Sequence, residues 1–481
     1  MAFIKVGNKV LKCGGKVVTD DLVLLVKLAG DGKTLTVIPT KDIAATLTRY
    51  MLVLTPASGS ATEVNIGNTG TYDLSSLHGS VQDGKYALSV YAVLSSGNTA
   101  PFGSIEYYVL APCNTMTLRF KFSKNGYNPV NAGVGSAGTW NHLIGDVWDW
   151  TNTNPDWHEA FKGAFAADDN EVEVIGAGDT SGVTNIEQMF AGNFTGNVNG
   201  SNYSLTSRNN IVFCVPFNVN GCADFESCFC GTCLKNVVKF HYNNTLESVQ
   251  MFSLFADTYV TKADIDLYGA VAIISALFAR CERLKFFSLK GCENVTKCVS
   301  CFYRCRQELK EIVINGELTK VTSLQTFAQN AFLVEKIHIK APQDNLNLQA
   351  TLNGCRLLTE LFFEVGKPSR VDYLFNGCYV LKEFPPIDTS ICSNFQQMMN
   401  YCENAETIPN YDVSSATNVK QMCANMFKAK YGILEMYNKL LARGSAITDH
   451  TDCFKYCGRD TPEGQAALAQ IPTDWGGTMS T

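Results

Sequence analysis

Apolar residues along this chain follow two alternating rhythms. In Val371-x-x-Leu374-Phe375-x-x-Cys378 they fall at i, i+3, i+4 and i+7, and the frame returns as Phe395-x-x-Met398-Met399-x-x-Cys402 and Ile274-x-x-Leu277-Phe278-x-x-Cys281. That spacing gathers four side chains on one face of a short helix. A period of two follows, in Ile312-x-Ile314, Ile337-x-Ile339 and Leu361-x-Phe363, and predicts a short strand. Each unit thus reads as one short helix and one short strand. Neither half buries its apolar side alone, so the units must stack.

Marked by the residue three after the recurring Phe, the copies fall at 232, 255, 281, 305, 330, 355, 378, 402 and 426, with Asn330 in place of Cys. An earlier copy is Ile186-Glu187-Gln188-Met189-Phe190 and a late one is Cys453-Phe454-Lys455-Tyr456-Cys457. The repeats occupy 179–430. Residues 431–481 hold an amphipathic helix (Tyr431 to Leu441, stopping at Gly444), the last repeat and a cap, with Trp475 pinning the tail.

The first third is patterned differently. Phe3-Ile4-Lys5-Val6 and Val10-Leu11-Lys12-Cys13 read as short anchoring strands within 1–18. From 19 to 112, strand-like runs such as Thr34-Leu35-Thr36-Val37-Ile38 and Ala87-Leu88-Ser89-Val90-Tyr91 alternate with turns such as Asp83-Gly84. Tyr86, just after that glycine, resembles the tyrosine corner of a fibronectin type III or Ig-like sandwich. Residues 113–178 crowd Trp140, Trp148, Trp150 and Trp157 together, and Trp157 to Phe165 looks helical. A solenoid needs a divergent first unit to cover its apolar end. The tryptophans read either as the core of that cap or as an aromatic platform for carbohydrate. The expected class is α+β, a β-sandwich followed by a solenoid of short helices and strands.

Asp179-Thr180-Ser181-Gly182-Val183-Thr184-Asn185-Ile186-Glu187-Gln188-Met189-Phe190 resembles a phrase of the BspA-like leucine-rich repeats. Ile387-Asp388-Thr389-Ser390 and Asp412-Val413-Ser414-Ser415 are further copies. The resemblance implies adhesion at a surface rather than chemistry. Joined to a small β domain, it also looks like the head or tail fibres of crAss-like tailed phages. It then implies a virion protein docked to a capsid or other virion protein through residues 1–112. A homodimer or homotrimer, and a host-surface glycan or protein as partner, would accompany that role. A bacterial cell-surface adhesin of the same family is the alternative, and a glycan-degrading enzyme is a third reading.

Composition narrows these classes. A net charge of −6 over 481 residues leaves no basic footprint for nucleic acid. No apolar run reaches the ~18 residues of a membrane-spanning helix. The opening Met1-Ala2-Phe3-Ile4-Lys5 lacks a secretory leader's pattern, so folding in a cytoplasm is expected, with the nineteen cysteines reduced. Cys281, Cys305, Cys355, Cys378 and Cys402 share one repeat position, which suits small buried hydrophobes. Cys228-Phe229-Cys230-Gly231-Thr232-Cys233, with Cys222 and His241 near in sequence, is the best metal candidate. It lacks the second pair that zinc sites use. His338, between Ile337 and Ile339, is expected to point outward. Arg280 and Glu282 are the polar positions expected to recognise a partner. No residue is assigned as catalytic, cofactor-binding or metal-ligating, and no cofactor is expected.

Overall fold

The computed structural model of the chain describes residues 24–29, 33–99, 101–166, 169–195, 203–219, 221–235, 238–241, 249–268, 270 and 272–478. The strands expected within 1–18 lie outside the described residues. Leu24–Leu28 pairs antiparallel with Thr34–Pro39, which pairs with Thr71–Asp73. A second antiparallel sheet centres on Leu47–Pro56 and Gly84–Leu94, edged by Thr62–Asn65 and Phe102–Val109. Alternation sends Val26, Leu35, Leu52, Leu54, Leu88 and Val90 into one core shared by both sheets. The Tyr86 hydroxyl donates to the Gln82 carbonyl at 2.8 Å, tying the corner to its strand.

The next sheet converts antiparallel pairing into a parallel stack. Thr117–Phe122 pairs antiparallel with Val147–Thr151 and with Val172–Ala177, and the last pairs parallel with Ile211–Cys214. Trp150 and Trp157 are buried edge to face against each other, with Trp150 also on Phe161, and their indole N–H groups donate to the carbonyls of Gly135 and Asn152. Beyond it, Val238–His241, Lys262–Asp266, Phe286–Lys290, Glu311–Ile314, Lys336–Ala341 and Glu360–Val365 form one six-stranded parallel sheet. Its six rungs are the flat side of a β-solenoid of about five turns.

The expected α+β class, with a helix in every repeat, is contradicted. Strand takes 31% of the described residues and helix 6%. Among the described residues the α-helices are α1 (Ile433–Leu441) and α2 (Pro462–Leu468), both at the C-terminal end. The i, i+3, i+4, i+7 frame instead folds as a coil with two left-handed residues four apart. In one copy these are Ala276 (φ 55°) and Arg280 (φ 58°), and in the next Ser300 (φ 56°) and Arg304 (φ 61°). Left-handed residues cannot continue a right-handed helix.

Backbone hydrogen bonding shows what the coil does instead. The N–H groups of Leu277, Ala279 and Cys281 donate to the residues three before them, Ile274, Ala276 and Phe278. The N–H groups of Ala276, Phe278 and Arg280 donate outward, to the carbonyls of Val299, Cys301 and Tyr303 in the next coil. Alternate amides therefore serve the coil and its neighbour. A helix would satisfy internally every amide beyond its first turn, whereas this coil is satisfied only when stacked. The same ladder starts at Trp157, whose N–H donates to Asn185, and ends at Asn425, which donates to Lys455. The stretch from Trp157 to Phe165 is thus the first coil, not a helix.

Two repeat registers also move. The left-handed pairs 253/257 and 326/330 put Thr258 and Ala331, not Phe255 and Asn330, in the place of Cys281. Phe255 falls where Phe278 does. An unbroken column results, with Phe161, Phe190, Phe229, Phe255, Phe278 and Phe302 stacked at 5.3–6.2 Å between ring centres. The far end is closed by α1 and by Trp475, which is 8% exposed and stacks on His450 at 4.2 Å and against Tyr437.

Candidate functional site

Several coils open on a residue whose side chain caps the first turn. Asn394 Oδ1 accepts from the Gln396 N–H at 3.1 Å, and Asn185, Asp224, Asn347, Asn418 and Asp449 do the same in their coils. Such Asx turns set the backbone without a helix. The Asp-Thr-Ser phrase has a related task. Asp388 accepts from the Ser390 N–H, while the Thr389 hydroxyl donates to the Asp412 carbonyl of the next copy at 2.7 Å. The repeated polar residues are therefore joints between coils.

The cysteines are joints too. The thiols of Cys281, Cys305, Cys378 and Cys402 donate to the carbonyls of Phe255, Phe278, Leu352 and Phe375, one coil back, at 2.9–3.3 Å. These four are thiols and not disulfides. Burial pushes Cys281 and Cys378 up to about 12 from an ordinary value near 9.0, so the nucleophilic thiolate is suppressed. Cys228 packs into the solenoid core, whereas Cys230 belongs to a separate cluster with Tyr203. Neighbours facing opposite sides cannot close on one ion. Among the described residues no group of three His, Cys, Asp or Glu side chains is placed to hold a metal. The side chain of His241 lies outside the described residues.

Arg280 is not on an outer face. Its guanidinium lies over the Tyr203 ring at 4.2 Å, donates to the Tyr203 carbonyl and pairs with Asp257 at 3.7 Å. The Tyr203 hydroxyl donates to Asp257, and burial, first of several causes, raises its pKa. This network clamps the Asn193–Thr195/Ser204–Ser207 hairpin onto the coils. Glu282 is exposed and accepts from Gln307 Nε2 at 2.9 Å.

The outer face of the parallel sheet is closed by its own charges. Lys310 pairs with Glu335, Lys336 with Glu360, and Lys340 with Glu317 and Glu364. His338 projects outward in line with Phe362, the rings 4.3 Å apart. A cleft of about 440 Å³ separates the sandwich from the first solenoid sheet. Its charges also match, with Arg119 bidentate on Asp149 and Lys121 on Glu106.

One row differs from all of these. The residue directly after the Cys place is Arg306, Phe332, Arg356 and Tyr379 in four successive coils. Arg306 and Arg356 stack on Phe332 at 5.0 and 4.1 Å, and Arg356 also reaches Tyr379 at 5.7 Å. Neither arginine has a carboxylate within ion-pair distance among the described residues, and the buried Nε of Arg306 lacks a hydrogen-bond partner there. Glu282 and Glu403 stand at the same place in the flanking coils. The apolar spacing hides this row, because a middle copy marked at 330 shifts Phe332 out of line with Arg306 and Arg356.

Residues 363–439 are similar to a family model described as Mycoplasma protein of unknown function, DUF285. No curated protein and no solved structure matches the chain.

Proposed function

We propose that this chain is a non-enzymatic attachment protein of a phage virion, a capsid-attached head fibre or a tail fibre. Residues 1–112 dock it to the particle, and the solenoid is presented to the host surface. One observation carries the binding role. Stacked coils hold side chains in straight rows across many repeats, the kind of extended surface on which solenoids bind partners. Copies on one particle would add avidity to weak single contacts. The resemblance of the Asp-Thr-Ser phrase to BspA-like repeats supports adhesion. Mass spectrometry of purified particles tests the virion assignment: peptides of this chain at structural stoichiometry are expected, and their absence sinks it. The similarity of 363–439 to a bacterial family favours a second reading, a cell-surface adhesin. Surface labelling of phage-free bacteria would detect the chain in that case.

A further inference from the structure

We infer that the row Arg306–Phe332–Arg356–Tyr379 is a binding site for a linear acidic polysaccharide carrying one carboxylate per disaccharide. The inference rests on the attachment reading and names the chemistry of its ligand. Charge is the first argument. On the neighbouring sheet face lysines meet glutamates across the rungs, as Lys310 does Glu335 and Lys336 does Glu360. In this row the arginines meet only aromatic rings. A chain of net charge −6 thus keeps a cationic strip that it does not neutralise.

Geometry gives the second argument. A guanidinium held over a ring still offers N–H donors to a carboxylate, and the ring contact restricts its position beforehand. Both arginines stack on the one Phe332 ring, so their guanidinium carbons lie within about 9 Å of each other. They are two coils apart, roughly 10 Å at the spacing of paired strands. That interval is comparable to one disaccharide of an extended chain. Glu282 and Glu403 close the row at both ends, limiting the contact to a short oligosaccharide.

Chemistry of the rings decides between polyanions. A single-stranded nucleic acid needs open aromatic faces for its bases, and here Phe332 is covered by two guanidinium groups. An extended acidic peptide sets same-face carboxylates roughly 7 Å apart, short of the two-coil interval between the arginines.

The test uses the full chain, immobilised, against hyaluronan oligosaccharides, their carboxyl-reduced neutral counterparts, single-stranded DNA and polyglutamate. Binding of hyaluronan but not of the neutral chain is expected, weakening as salt rises. Arg356→Gln should lower that affinity at least tenfold and Arg356→Lys less, with unfolding temperatures unchanged. Glu403→Gln should tighten binding several-fold, a gain that no folding defect can imitate. Absence of hyaluronan binding, equal binding of the neutral chain, or indifference to both Arg356→Gln and Glu403→Gln overturns the inference. Equal or tighter Arg356-dependent binding of DNA or polyglutamate does so as well. The outcomes separate from those for the attachment role: a virion component that ignores hyaluronan refutes only this site, and a hyaluronan binder absent from particles refutes only the virion assignment.

Discussion

Replacing Gly377 by alanine distinguishes a coil from a helix by the sign of its effect. Gly377 is the second left-handed residue of its coil, at φ 72°, and its N–H donates to the Asn400 carbonyl of the next coil at 2.8 Å. A Cβ there would meet nothing nearer than the Gly354 Cα at 3.5 Å, so no clash enters. What remains is the cost of a left-handed alanine, about 1–2 kcal/mol. The smaller entropy of the unfolded alanine chain offsets about 0.4–1 kcal/mol of it. The net loss is about 0–1.6 kcal/mol, or up to roughly a fifteenfold change in the opening equilibrium. In a helix the same change would stabilise by about 1 kcal/mol. Native-state hydrogen exchange of peptides across 371–402 reads it locally, which suits a chain too large for two-state unfolding. Faster exchange in the variant is expected. Slower exchange would refute the left-handed coil.

Three further outcomes follow from the packing. Phe278→Ala removes a fully buried ring stacked between Phe255 and Phe302, and should destabilise the coils around it by about 3–5 kcal/mol, read as faster native-state hydrogen exchange there. Burial raises the thiol pKa of Cys281 and Cys378 from near 9.0 to about 12, so the folded state favours the protonated form. Its contribution is then complete below pH 9 and lost as pH climbs from 9 towards 12; melts across that window should show falling stability, and a flat profile would contradict the buried column. Tyr86→Phe deletes the hydroxyl bond to the Gln82 carbonyl and should cost the sandwich about 1 kcal/mol, measurable as a shift of its own unfolding transition.

Much of the ladder was legible in the residues. Phe278 and Cys281 recur at one interval, and the strand frame at Ile337 and Ile339 is a true strand with His338 facing out. Helix against coil was not legible from apolar spacing, since both place i, i+3, i+4 and i+7 on one side. The available signal was polar: Gly231, Asn330, Gly354, Gly377 and Asn425 all occupy the second left-handed position, where glycine and asparagine are least strained. The register at 258 was hidden because Phe252 imitates the ladder Phe and threonine stands in for Cys. The register at 331 was hidden because Phe327 occupies the leucine place and Ala328 the phenylalanine place. With that copy misaligned, Phe332 could not be seen between its two arginines. Arg280 looked available because nothing local announces Tyr203, 77 residues earlier, as its cover.

Far-ultraviolet circular dichroism of the full chain tests the coil stack most directly. A β- and turn-dominated spectrum is expected, the coils adding no helix to the nine residues of α1 and the seven of α2. A strong helical double minimum, with one helix per repeat, would contradict it.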